Sequence, residues 1–276
     1  MNSKLKKALL KYILPFLAIL VLSFYDYKIS LLILVLYIIY LFYTGRANFF
    51  TYFGSVNYSN GKIHRAITWL KRAYATGKAN PKSAASYGYL LLKSGEVGES
   101  EQIFNKLLKT TLSKENESFV KTNLALVIWK KGDLDLAVSM FEEVITDYKN
   151  STIYSSLGYL LILKGDLDKA LQFNLEAFEF NNANTVILDN LGQTYYMMGT
   201  FDKALEIFEM LISKKPKFPE AYYNYGLVLE KLGQPEQALE MMEIALNSNF
   251  SFLSTVSRDE IESKIEELRK IDKEII

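Results

Sequence analysis

The sequence predicts an all-α chain: an apolar helical hairpin, then a stack of about six helix–turn–helix units, then one closing helix. Three observations predict it. First, residues 185–218 and 219–252 match each other at a 34-residue period when aligned on Gly192 and Gly226. A fixed period in this range marks stacked supersecondary units rather than one globular core. Second, eleven of the fourteen glycines fall on two positions of that repeat. Third, two apolar runs near the N-terminus are separated only by Asp26-Tyr27-Lys28.

Taken in order, the first run extends from Ala8 to Tyr25 with Lys11 as its single charge, and the second from Ile29 to Thr44 with none. As helices they would reach roughly 24–27 Å at about 1.5 Å per residue, the short end of what crosses a bilayer. Lys11 can snorkel to the interface, and Pro15 kinks a membrane helix without forbidding it. Tyr25, Tyr27 and Tyr43 sit near the ends, where amphipathic rings favour the headgroups. No small-x-small site follows the first run, as a cleaved signal peptide would need. Two membrane spans are therefore expected, about 8–25 and 29–44, within an anchor covering 1–44. A buried soluble hairpin, or one span with the other run in the interface, are the alternatives. Basic residues flank both sides, Lys4, Lys6 and Lys7 before, Arg46, Lys62, Arg65, Lys71 and Arg72 after. By the positive-inside rule both flanks, and the units that follow, are cytoplasmic. Tyr37 and Tyr40 lie one turn apart in the second run and are expected to pack against the first.

The units are placed at 47–80, 81–117, 118–150, 151–184, 185–218 and 219–252. Their eighth position reads Gly54, Gly88, Ala125, Gly158, Gly192, Gly226. Glycine inside a helix costs about 1 kcal/mol against alanine, so its repeated use implies that a neighbouring backbone approaches too closely for a side chain. The fifteenth reads Gly61, Gly95, Gly132, Gly165, Gly199, Gly233, where glycine can take the left-handed conformation that ends a helix. Asp133 and Asp166 follow, ready to cap the second helix, and Pro235 suits a first helical turn.

In the second helix a small residue (Ala66, Ser100, Ala137, Ala170, Ala204, Ala238) is followed four residues later by Leu70, Phe104, Phe141, Asn174, Phe208 and Met242. Asn174 breaks that pattern and, if buried, needs partners. The second unit is three residues long of the period, so polar Lys109–Ser118 is the expected loop insertion and hinge. The third is one short, near Asn150. Phe49, Phe50 and Phe53, just beyond the second run, place the first unit near the membrane surface. Residues 253–276 read as a capping helix: Ser257 and Glu260 form a capping box, and Ile261, Ile265 and Leu268 share one face. Glu260–Lys264 and Glu266–Lys270 are favourable pairs on the other.

The period and the residue types at these positions resemble the tetratricopeptide repeat family. That resemblance implies a right-handed α-solenoid whose first helices line a concave groove for extended peptides. Asn123, Asn190 and Asn224 share the sixth repeat position, where family members hold peptide backbones with side-chain amides; local hydrogen bonding is the other reading of those asparagines. Tyr89, Trp129, Tyr159, Asp189, Gln193, Tyr196 and Tyr223 supply the rest of the expected groove, aromatic and polar without a strong charge preference. The basic clamp of chaperone-binding members is absent: the equivalent positions hold Thr51, Ser55, Ser86, Phe119 and Asn123.

Little here converges on chemistry. The absence of cysteine excludes disulfides, thiolate metal sites and cysteine nucleophiles. The near-neutral charge beyond the hairpin gives no footprint for nucleic acid. His64 is the only histidine, a surface or packing residue by expectation. Asp133/Asp135 and Asp166/Asp168 read as caps rather than metal ligands, and Thr76-Gly77-Lys78 lacks the upstream glycine of a phosphate loop. No catalytic residue, cofactor, metal or small-molecule substrate is expected. The expected function is a membrane-tethered scaffold or adaptor that binds a peptide or protein in the groove. A peptide-sensing signalling receptor and a structural part of an envelope assembly are the alternatives.

Overall fold

The computed structural model describes residues 5–6 and 9–275, with side chains as far as Lys270. Lys4, Lys7 and Ala8, which belong to the expected basic flank and first span, lie outside the described residues. Among the described residues every regular element is helical. The chain divides into two compact units, Met1–Ala84 and Ala85–Ile276.

In the first unit a π-helical turn, Leu9–Ile13, leads into α1 (Leu14–Ser23), with Pro15 in its first turn. Asp26 ends the intervening turn and caps α2 (Tyr27–Ser59), its carboxylate accepting from the Lys28 and Ile29 amides. Two hydroxyls tie the hairpin together. Ser30 Oγ donates to the Ile19 carbonyl at 2.8 Å and Tyr37 Oη to that of Lys11 at 2.6 Å. Tyr37 thus packs against the first run as expected, while its ring stacks with Tyr40 at 6.4 Å. The second run and the first helix of the repeat are one uninterrupted element of 33 residues. Neither proline nor a polar cap occurs at Gly45-Arg46, so a single glycine at about 1 kcal/mol is too small a penalty to end the helix.

α3 (Ile63–Ala75) returns against α2. Phe49, Phe50 and Phe53 turn inward and meet Trp69 of α3, with ring centroids 5.3–6.3 Å apart. These rings pack between the two helices, with Phe49 still partly open to its surroundings.

The second unit is a run of helix pairs: α4 (Pro81–Lys93) with α5 (Val97–Leu108), α6 (Lys114–Lys130) with α7 (Leu134–Asp147), α8 (Ser151–Lys164) with α9 (Leu167–Phe180), α10 (Thr185–Met197) with α11 (Phe201–Ser213), and α12 (Pro219–Lys231) with α13 (Pro235–Leu246). α14 (Arg258–Ile275) follows. Buried apolar residues form successive clusters along the stack, one around Phe141, one around Phe208 and one around Met242 and Leu268, as expected when each unit buries its face only against its neighbours.

All six turn glycines take positive φ, from 71° to 100°, and the carboxylates of Asp133 and Asp166 accept from amides three residues on. The eighth-position glycines have a different cause from the one predicted. A Cβ on Gly192 would meet Phe208 Cε2 at 2.7 Å, one on Gly88 the Phe104 ring at 3.0 Å, and one on Gly54 Leu70 Cγ at 2.6 Å. The glycine makes room for the large side chain of its own second helix; a backbone atom is comparably close only at Gly226, where the Ala238 carbonyl lies at 3.2 Å.

The expected loop at Lys109–Ser118 is a connection over 109–113 only; residues 114–118 are helix. Ser113 Oγ accepts from the Asn116 amide and starts α6 at Lys114, so the extra residues lengthen that helix to 17. Asn150 caps α8 across the shortened connection, accepting from Ile153. At the other end Ser257 and Glu260 make the reciprocal capping box, and Ile261, Ile265 and Leu268 bury against α12 and α13. Lys264 does not close on Glu260. It reaches Glu230 of α12 at 2.8 Å and Glu267 at 3.0 Å.

Candidate functional site

The first helices of successive pairs present one shared face. Tyr89 and Lys93 come from α4, Trp129 and Lys130 from α6, Tyr159 from α8, Asp189, Gln193 and Tyr196 from α10, and Glu220 and Tyr223 from α12. Helical periodicity within each repeat puts these side chains in register, because equivalent positions of stacked units face the same way.

Two kinds of residue emerge. The aromatic ones are half-buried and interlocked. Trp129 meets Tyr159 edge-on with centroids 5.7 Å apart, Lys130 Nζ sits 4.3 Å from the Trp129 ring, and Lys93 Nζ 5.9 Å from that of Tyr89. Burial lowers the pKa of both lysines, and burial raises the Tyr159 hydroxyl. Tyr223 is pushed up to about 12 by burial, with Glu260 beside it, and donates to Glu260 at 3.4 Å. Tyr196 packs on Phe201.

The asparagines behave otherwise. Asn190 is 1% exposed, and its amide donates to the Ser155 carbonyl of the preceding pair at 2.7 Å. Asn224 donates to Asp189 Oδ1 at 3.1 Å, again one pair back. Asn123 donates to Phe119 within its own helix at 2.6 Å. Each amide commits one of its two N–H donors inside the protein, so the geometry favours the local-bonding reading over backbone capture. Asn190 and Asn224 act as staples between units. Asn190→Ala would remove a buried hydrogen bond between units and is expected to cost about 0.5–1.5 kcal/mol, read as a lower denaturation midpoint of the full chain. An unchanged midpoint would return Asn190 to the pool of ligand-binding residues.

Sequence reasoning left Asn174 open, and the structure resolves its place. It is fully buried against Gly158, where the other pairs carry Leu70, Phe104, Phe141, Phe208 and Met242. Its amide donates to Thr194 Oγ1 at 3.1 Å, and Thr194 in turn donates to the Asn190 carbonyl at 2.7 Å. A polar seam therefore joins Asn174, Thr194 and Asn190 inside the stack. Asn174 Oδ1 and Gln193 Oε1 are buried with no hydrogen-bond partner.

Asp189 is the most perturbed group. It is 4% exposed, and burial raises its pKa to about 7, with Glu220 adding to the rise and the Asn224 hydrogen bond opposing it. The periodic pattern marked its position but gave no sign of that burial, because the cover comes from residues far along the chain. Among the described residues no three acidic or histidine side chains cluster as a metal site. Asp135 instead pairs with Lys164 at 2.7 Å, and His64 is exposed.

A stack of helix pairs with an aromatic and polar inner face defines the class: an α-solenoid repeat protein. Residues 122–184, 188–217 and 207–240 each match a family model described as tetratricopeptide repeat. The stretches 122–184 and 188–240 are therefore tetratricopeptide repeats. Among solved structures the chain is similar to a tetratricopeptide repeat protein from Parabacteroides merdae ATCC 43184, at 14% identity and TM-score 0.63, covering 92% of this chain and 99% of that one. It is also similar to the APC/C hetero-tetramer Cut9-Hcn1, at 12% identity and TM-score 0.66, covering 83% of this chain and 44% of that one. At such identities the likeness is one of fold. No curated protein matches.

Proposed function

We propose that this chain is a membrane-tethered interaction scaffold that holds a peptide or partner protein on the face lined by Tyr89, Trp129, Tyr159, Gln193, Tyr196 and Tyr223. The fold itself is that of an interaction scaffold. The observation that carries the finer reading is the half-buried aromatic ladder, with Trp129 and Tyr159 edge-on at 5.7 Å: aromatic rings anchor the side chains of a bound peptide.

Tethering is supported by α2, which is long and apolar enough to cross a membrane and is almost wholly unburied by protein along its apolar part. A core helix of a soluble domain would be covered instead. α1 is shorter and joins it through hydroxyl–carbonyl bonds that lipid would not compete for. In this reading the two runs form the anchor, 47–252 the array and 253–276 its cap, with the N-terminus and the array on the cytoplasmic side. Confinement to the membrane raises the effective concentration of the face for neighbouring clients. No convergent set of reactive groups speaks for catalysis.

Two measurements test this. Because the chain has no native thiol, single cysteines at Tyr25 and Asp168 can be probed in intact cells with an impermeant reagent. The Tyr25→Cys chain should label and the Asp168→Cys chain should not; the reverse pattern overturns the orientation. Trp129→Ala with Tyr159→Ala should abolish cross-linked partner capture in native membranes while leaving helical content unchanged. Capture at wild-type yield would end the proposal for this face.

A further inference from the structure

The face just described is already occupied. Between α13 and α14 the chain leaves the end of the stack and crosses to its opposite end. The Asn249 amide donates to the Lys217 carbonyl at 2.9 Å, and the Phe252 amide donates to the Lys93 carbonyl at 3.0 Å. The Phe252 ring lies over the Gly95 turn, where a Cβ on Gly95 would meet its Cδ2 at 3.4 Å. Lys130 Nζ stands 5.2 Å from the same ring. Three residues on, the Thr255 amide donates to Glu220 Oε1 at 2.6 Å, its hydroxyl lies 3.4 Å from the same oxygen with Tyr159 beside it, and Val256 is buried. The segment thus touches α4, α6, α8 and α12, four of the five first helices of this unit.

Its chemistry is that of a bound peptide rather than a linker. Most loops bridging two helices are short and local. This one places an aromatic side chain between a backbone turn and an ammonium group, uses its main-chain amides as donors, and sets a hydroxyl residue against a tyrosine and a carboxylate. Phe252 remains 42% exposed, so the ring is seated without being locked into a core.

We propose that Phe252–Thr255, part of a turn closed by the Ser254 amide on the Ser251 carbonyl at 3.0 Å, is an internal ligand of the scaffold face, and that the external partner is a peptide that makes the same turn, an aromatic residue followed three positions later by Ser or Thr, which binds by displacing this segment. Lys93 O and Glu220 accept from the peptide amides, Gly95 and Lys130 hold its ring, and Tyr159 meets its hydroxyl. The cis segment sets a threshold: the measured affinity for an outside peptide is the intrinsic one reduced by the fraction of chains whose face is open. This rests on the scaffold reading above.

The test uses the full chain in detergent and a fluorescein-labelled peptide, Asn-Phe-Ser-Phe-Leu-Ser-Thr-Val, copied from 249–256. Phe252→Ala should bind it about tenfold more tightly than wild type, if the face is open in roughly one chain in ten. Cysteines introduced at Ser94 and Ser251 and joined by a short bis-maleimide should hold the segment down and weaken binding by at least the same factor. The peptide with alanine for its second phenylalanine should not bind. Equal affinity of wild type and Phe252→Ala, undiminished binding by the tethered chain, or no binding by either untethered chain overturns the proposal. So does a peptide-sensitive dimer on sedimentation, which would make a second copy the occupant. The Trp129→Ala, Tyr159→Ala chain separates this from the parent reading. If it still captures partners in membranes, the scaffold face is wrong. If it loses capture while Phe252→Ala leaves peptide affinity unchanged, only the displacement is wrong.

Discussion

Phe208→Ala is expected to lower the unfolding free energy by about 3–5 kcal/mol, among the largest effects of any single change in the array. The ring is fully buried, lies against Gly192 and stacks with Tyr225 of the next pair at 6.0 Å. Its removal therefore loosens two contacts at once, within its own hairpin and across to α12. In a solenoid each pair is stabilised only by its neighbours, so a weak joint there uncouples the last hairpin from the rest. Urea denaturation of the full chain, followed by circular dichroism, should show the loss, with a broadened transition. Gly192→Ala alone is also expected to destabilise, because its methyl would sit 2.7 Å from the ring, an overpacking of about 1–3 kcal/mol. Combined, the two changes should cost less than their sum, since the methyl enters space the ring has left. A Phe208→Ala loss within about 0.5 kcal/mol, typical of surface positions, would remove the ring from the core.

The second large effect depends on pH. In the unfolded chain Asp189 has an ordinary carboxyl near 3.8, whereas in the fold it titrates at about 7. The native state therefore holds a proton that the unfolded state has released between these values. Its contribution is fully present below pH 3.8, declines as pH rises, and is gone above about 7. The window is worth on the order of 4 kcal/mol at most. Glu220 faces the group and reinforces the rise, while Asn224 donates to the same oxygen. Other carboxylates slope the opposite way; Glu176, for example, is held low by the Tyr154 hydroxyl. The clean quantity is thus a difference. Asp189→Asn keeps an acceptor for Asn224 and should flatten stability between pH 4 and 7 relative to wild type, with the largest gain at pH 7. Parallel profiles for the two chains would mean that Asp189 is solvated and ionised in the fold.

Much of the fold was legible because it is repetitive. Gly95, Gly132 and Gly165 announce helix ends through a conformation other residues avoid, and Asp133 and Asp166 announce starts through a carboxylate that only a helix N-terminus needs. These are local rules. Lys109–Ser118 is a connection only over its first half for a related reason: polar composition resembles a loop throughout, yet Ser113 provides a cap and nothing afterwards breaks the helix. The site was legible only as a set of positions. That Asn190 and Asn224 have an amide already engaged depends on partners 35 residues away, about one full unit along the stack.

The sequence by itself determined the helix pairs, their turns and the side that each pair turns to its neighbour, since glycine, cap and apolar period act within a few residues. Only the tertiary structure decided that Gly192 clears space for Phe208, that Asp189 is sealed from water, and that Phe252 returns to Lys93. These depend on how far successive units rotate as they stack. That rotation is the sum of many small packing choices at each interface, and no single residue encodes it.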